Sequence, residues 1–245
     1  MVPLHINLKK ALILIGAFFY NTLLFTQTPG LGTWNAITGR FNYNSKWHGF
    51  VELQLRSQQT YYHFNYHEVK GGIGYMITPS LSALIGTGRY VTYPVNENFG
   101  NPIIQSEQRV WQQLIYNQTF PTFRIEHRLR AEQRYTSAGY RNRFRYRINA
   151  IIPLNNKTII DNTFFISLSN EFHFNNENVF YEQNRFYLGA GYQFNKTWSL
   201  QMGWMNRSDY FTNNKAQYKN FIQTSIQYTF NTVKSNSPRN IGSVD

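Results

Sequence analysis

The sequence predicts an all-β fold, an antiparallel up-and-down transmembrane β-barrel of ten to twelve strands with twelve preferred, and three observations carry that prediction. Nearly every charge between residues 123 and 152 falls on alternate positions. Strand-length segments are separated in turn by tight and loose connections, and the chain opens on the pattern of an export signal.

The alternation is densest in two neighbouring segments. The first sets Arg124, Glu126, Arg128, Arg130, Glu132 and Arg134 against Phe123, Ile125, His127, Leu129, Ala131, Gln133 and Tyr135. The second sets Arg141, Arg143, Arg145 and Arg147 against Tyr140, Asn142, Phe144, Tyr146, Ile148, Ala150 and Ile152. Side chains alternate faces along a strand, so each segment has one polar and one apolar face. A soluble sandwich would turn the apolar face to its core, whereas a membrane barrel turns it to lipid and gathers the arginines around a lumen.

Lys9 and Lys10 precede an apolar run over 11–25, followed by Thr26-Gln27-Thr28-Pro29-Gly30, the layout of a cleaved signal peptide. The run's fifteen residues, with Asn21 and Thr22 inside, fall short of the roughly 20 that a membrane-spanning helix needs. The expected organisation is a signal peptide over 1–26, a barrel over 27–230 and a disordered polar tail over 231–245. A mean hydropathy of −0.48 does not oppose a barrel, whose strands carry a polar residue at every second position. The 20 Phe and 18 Tyr suit aromatic girdles, and the absence of cysteine removes disulfides and thiolate metal sites.

Taken in order, the segments are 33–43, 47–56, 62–77, 81–92, 107–118, 123–135, 140–152, 158–173, 181–194, 198–207 and 218–230. Asn44-Ser45-Lys46 closes the first hairpin, and Trp47, Gly49, Val51, Leu53 and Leu55 then oppose His48, Glu52, Gln54 and Arg56. Further tight turns are Thr78-Pro79-Ser80, Phe120-Pro121-Thr122, 153–157 and Asn195-Lys196-Thr197. Looser connections fall near 57–61, 93–106, 136–139, 175–179 and 208–217. In the ninth segment Phe186, Leu188, Ala190, Tyr192 and Phe194 share a face, as do Ile222, Thr224, Ile226, Tyr228 and Phe230 in the last. Single-chain bacterial barrels have even strand counts, so twelve is preferred over the eleven segments counted.

Several of these motifs together resemble the domain-of-unknown-function family 2490. They are Gly32-Thr33-Trp34, the 47–56 strand with its Glu-x-x-x-Arg ending, the arginine runs at 128–134 and 141–147, and Gln183-Asn184-Arg185. The resemblance implies a small outer-membrane barrel of Bacteroidota over essentially the whole mature chain, and it brings no activity and no catalytic residue.

Without Lys9 and Lys10 the chain holds 22 basic and 12 acidic residues, and the eight Arg and two Glu of 124–147 supply +6 of the resulting +10. Such a balance suits nucleic acid, an anionic membrane or acidic solutes, and export argues against nucleic acid. Arg124, Glu126, Arg128, Arg130, Glu132, Arg134, Arg141, Arg143, Arg145, Arg147 and Arg185 form the expected lumen charge cluster. One hairpin register pairs Arg134 with Arg141, Glu132 with Arg143, Arg130 with Arg145 and Arg128 with Arg147; a looser one pairs Glu132 with Arg141. The surplus guanidiniums then need partners such as Glu52, Glu107 and Glu171, or bound anions.

The leading expectation is an outer-membrane barrel whose basic lumen binds or passes small anionic solutes, such as acidic sugars, with membrane lipid as its other partner. The alternatives are a non-conducting structural or envelope-maintenance barrel and, third, a lipid-modifying enzyme. His127 and Asn142 do share the apolar face, but no serine lies two residues from His127, so no catalytic residue is expected. Neither a cofactor nor a metal is expected, because His63 and His67 would lie roughly 13 Å apart along one strand face. The glycines near 71–74 and 86–88 read as close-packing positions, since no helix pattern follows them.

Overall fold

A computed structural model describes residues 30–177, 179–212 and 215–231, and every regular element among them is a strand. In chain order these are β1 (Gly32–Asn42), β2 (Trp47–Gln59), β3 (Tyr62–Met76), β4 (Leu81–Thr92), β5 (Gln105–Thr119), β6 (Arg124–Thr136), β7 (Gly139–Pro153), β8 (Thr163–Asn175), β9 (Tyr181–Gln193), β10 (Trp198–Tyr210) and β11 (Ala216–Asn231). Each pairs antiparallel with its sequence neighbours, and the sheet closes between β1 and β11. The signal-peptide reading of 1–26 and the tail beyond Asn231 lie outside the described residues.

The preferred count of twelve is corrected to eleven. An odd number of strands, each antiparallel to the one before, brings the first and last together pointing the same way, and β1 and β11 do pair in parallel, from Gly32 opposite Phe221 to Asn42 opposite Asn231. Side chains reinforce this seam. Phe41 and Phe230 stack at 5.0 Å, Asn42 Nδ2 donates to Asn231 Oδ1 at 2.7 Å, and Trp34 meets Phe221 edge to face. At its far end Lys219 Nζ donates to the carbonyls of Gly30 and Gln58, tying β11 to the chain just before β1 and to the end of β2.

The connections also depart from the sequence reading. One rim carries 43–46, 77–80, 120–123, 154–162 and 194–197, and the other carries 60–61, 93–104, 137–138, 176–180 and 211–215. We call them the turn rim and the loop rim. Residues 158–162 belong to a connection rather than to β8, where Asn155 accepts from the Phe164 amide and donates to the Asn162 carbonyl, while two loop-rim connections are tight hairpins.

The barrel is apolar outside and polar within. Ile37, Ile73, Ile85, Leu129 and Phe144 are exposed on its outer face, while Glu52, Lys70, Arg128, Glu132, Arg145 and Glu171 are buried inside. Aromatic pairs ring the outer face near both ends: Trp47 with Tyr75 and Trp198 with Tyr228 at the turn rim, Tyr135 with Tyr140 and Tyr181 with Tyr210 at the loop rim. Outward amides between them satisfy one another, as Gln112 and Gln133 exchange two hydrogen bonds at 3.2 Å and Asn206 donates to Asn220.

Three apolar clusters share the interior with the charges: Trp34, Tyr187, Met205 and Phe221; Phe50, Leu84 and Trp111; and Ile151 with Phe165. The Trp111 ring occupies the space above Gly86, where a Cβ would lie 2.3 Å from it. Gly32 is similarly confined, since a Cβ there would come within 2.6 Å of both the Phe221 ring and the Ser57 carbonyl. Gly32→Val is therefore expected to lower the stability of the detergent-folded protein by about 1–3 kcal/mol in urea titrations followed by tryptophan fluorescence. An unchanged midpoint would contradict the seam as described.

Candidate functional site

Alternation places the arginines of β6 and β7 inside, and the hairpin register sets Arg134 opposite Arg141, Glu132 opposite Arg143, Arg130 opposite Arg145 and Arg128 opposite Arg147. Like charges directly across a sheet repel, so three of these four rows depend on carboxylates brought by other residues. Glu171 of β8 accepts from Arg145 Nε and Nη2 at 3.0 and 2.8 Å and from Arg128. Glu132 accepts from Arg145 Nη1 at 2.7 Å and lies 3.4 Å from Arg130 and 3.8 Å from Arg109. Glu107 of β5 takes a two-pronged contact from Arg134 and a third hydrogen bond from Arg109, and Glu126 accepts from Arg147 at 2.6 Å.

A second network fills the side formed by β1, β2 and β3. Lys70 Nζ bridges Glu52 at 2.8 Å and Glu68 at 2.6 Å, and Arg56 Nη2 donates to Glu68 and Gln54. The Arg56 guanidinium lies over the Trp34 ring at 3.3 Å, while the Trp34 indole N–H donates to Gln54. Thr33 shares a hydrogen bond with Ser57, so the Gly32-Thr33-Trp34 segment clamps the seam, β2 and the buried charges at once.

A water-filled passage would wet the side chains that line it. Yet Ala36, Gln54, Glu68, Leu84, Trp111, Arg130, Arg145, Glu171, Tyr187, Gln201 and Gln223, one inward residue from each strand, are all exposed by 8% or less. The waist is filled. Towards the loop rim the interior opens into a chamber of about 620 Å³, lined by Arg56, Arg109, Arg134, Arg141, Arg143, Arg185 and Arg207 against Glu107, Glu177, Glu182 and Asp209. Seven guanidiniums facing four carboxylates leave this chamber electropositive.

Glu182 reaches the chamber through a β-bulge. The β8 and β9 register runs His173 to Gln183 and then Phe174 to Tyr181, so Glu182 is the extra, unpaired residue and turns inward against the strand's alternation. Its carboxylate contacts Arg143, lies 3.7 Å from both Arg134 and Arg141, and accepts from Asn175 Nδ2 at 3.1 Å.

Of the residues expected in the lumen, Glu126, Arg128, Arg130, Glu132, Arg134, Arg143, Arg145, Arg147 and Arg185 are buried inside, whereas Arg124 and Arg141 are half-buried at the turn rim and loop rim. Glu107 and Glu171 serve the arginine rows, while Glu52 serves Lys70 and Thr38 instead. Sequence reasoning missed Glu182, which alternation sends outward, and Glu68, Lys70 and Arg109, whose spacing of two along β3 and β5 was a usable signal. His127 stands on the outer face with its Nδ1 2.9 Å from the Tyr146 hydroxyl and its Nε2 3.1 Å from Gln118 Oε1. No cluster able to hold a metal ion occurs among the described residues.

Fold and interior together define a closed up-and-down β-barrel with a charge-packed waist and a basic chamber. The chain belongs to the family described as protein of unknown function (DUF2490), which matches residues 31–219. No curated protein and no solved structure matches it.

Removing one carboxylate from the waist leaves the buried guanidiniums that share it with surplus positive charge, which is costlier than removing a carboxylate and a guanidinium together. Glu132→Gln should destabilise the barrel by about 3–5 kcal/mol in urea, and adding Arg145→Met should restore part of that loss. Independent, additive effects of the two substitutions would contradict the coupling.

Proposed function

We propose that this barrel resides in the outer membrane of a Gram-negative bacterium, exported behind a cleaved signal peptide, and that it holds small anionic solutes in its loop-rim chamber without conducting them through the waist. The observation that carries the reading is the surplus of guanidiniums around an accessible chamber set above a filled, ion-paired waist. Fixed cationic groups in a concave, partly dehydrated space attract anions more strongly than on an open surface. The volume lies within the roughly 300–1,000 Å³ of small-molecule sites.

The membrane location is supported by the inverted polarity and by the two aromatic girdles, which match the two interfaces of a bilayer. A purely structural, non-conducting barrel is the second reading, favoured by the close ion pairing of Glu132 and Glu171 at the waist. We do not read the protein as a lipid hydrolase, because both ring nitrogens of His127 are engaged by Tyr146 and Gln118 rather than by a serine.

Single cysteines test the location. A membrane-restricted thiol reagent should label Phe144→Cys in the reconstituted protein and spare Arg145→Cys; the reverse pattern would reject the facing. In planar bilayers the wild-type protein should give no conductance steps, while equilibrium titration with glucuronate or citrate should show binding that weakens as salt rises. Steady anion-selective steps would replace binding by passage, and silence in both assays would leave the structural reading.

A further inference from the structure

Glu182 does not sit where its strand would put it. Along β9, Asn184, Phe186, Leu188 and Ala190 follow the outward face that Glu182 would share, and only the bulge turns its carboxylate into the chamber. There it meets three guanidiniums, those of Arg134, Arg141 and Arg143, while its backbone stands outside the ladder at the first residues of β9. Arg134 is also held by Glu107, so Glu182 is the carboxylate around which Arg141 and Arg143 converge beside an already paired Arg134, an anion site with an occupant already in it.

The remaining lining describes what else the occupant's replacement would carry. Gln58, Asn65, Gln105, Asn175, Gln183 and Gln217 present amides to the same space. The faces of Tyr66 and Tyr90 are already covered by the guanidiniums of Arg56 and Arg109, at 4.0 and 3.7 Å, so ring stacking is not what they offer a solute. A space walled by amides suits a solute rich in hydroxyls, each of which can donate and accept.

We propose that the chamber takes a sugar acid, a polyhydroxylated ring with one carboxylate, and that this carboxylate displaces Glu182 from Arg134, Arg141 and Arg143. The exchange breaks no covalent bond and conserves the cluster's charge, since one carboxylate leaves the guanidiniums as another arrives. Displaced Glu182 turns toward the chamber's open mouth, which Arg141 and Arg207 already share with water. Glu182 thus acts as a built-in competitor that sets the affinity.

This inference rests on the anion-binding reading above, and one titration series separates the two. Detergent-folded protein is titrated calorimetrically with glucuronate, with glucose as the neutral ring and acetate as the bare carboxylate, and folding is checked by heat-modifiable gel mobility. Wild type should bind glucuronate in preference to both, and Glu182→Gln should bind it about tenfold more tightly, the scale of one charge-assisted contact no longer competed for. Glu182→Asp, whose shorter arm cannot span the three guanidiniums, should shift affinity the same way and serves if the Gln variant fails to fold. Unchanged or weaker glucuronate binding in the folded variants, with wild type still binding, overturns the displacement alone. Acetate bound as tightly as glucuronate overturns the sugar acid. No binding of either anion by any folded variant removes the chamber reading itself.

Discussion

Charges enclosed at the waist of an eleven-stranded barrel have no bulk water to face, so each must be neutralised by a side chain from another position along or across the wall. Withdrawing an ion pair from water costs several kcal/mol per ion, recovered only when geometry and additional hydrogen bonds are good. Arg145 illustrates the solution, with three of its donors divided between Glu132 on one neighbouring strand and Glu171 on the other. The rows of opposed arginines in β6 and β7 are tolerable because β5, β8 and β9 deliver Glu107, Glu171 and Glu182 to them, beside Glu126 and Glu132 of β6 itself. The charge balance of the chamber follows from where those carboxylates arrive.

The interior is consequently graded rather than uniform. Near the waist, arginine and glutamate alternate closely enough to exclude water, and Trp34 and Trp111 occupy what space the ions leave. Towards the loop rim the arginines outnumber the acids and the walls part. The difference arises from a few residues: β7 contributes Arg141 and Arg143 at this end, and the bulged Glu182 meets them both.

Period-two alternation made much of this legible in the sequence. It placed Phe144 and Arg145 on opposite faces, gave ten of the eleven strands close to their observed positions, and offered the hairpin register that the structure adopts. It failed where physics is not local. A bulge inserts one residue and inverts the parity, so Glu182 was invisible to any count of alternation. Strand parity in the whole barrel is likewise unreadable from one segment, and the rule of even counts pulled the expectation from eleven to twelve. The start of β8 was misplaced because 158–162 resembles a strand, while asparagine hydrogen bonds hold it as a connection.

The parallel seam separates this barrel's closure from all its other pairings. Ten interfaces join neighbours in sequence and can form as hairpins do, each a short-range event with modest loop entropy. The eleventh must bring together partners such as Asn42 and Asn231, 189 residues apart, through slanted parallel hydrogen bonds that are slightly weaker per residue. Closure is thus a single long-range commitment, set apart from the ten hairpin-like pairings. Until it is made, two unpaired edges remain, able to recruit foreign strands. Phe41 on Phe230 and the clamp at Gly32 hold that pairing shut, which makes the seam as much a safeguard against misassembly as a wall of the barrel.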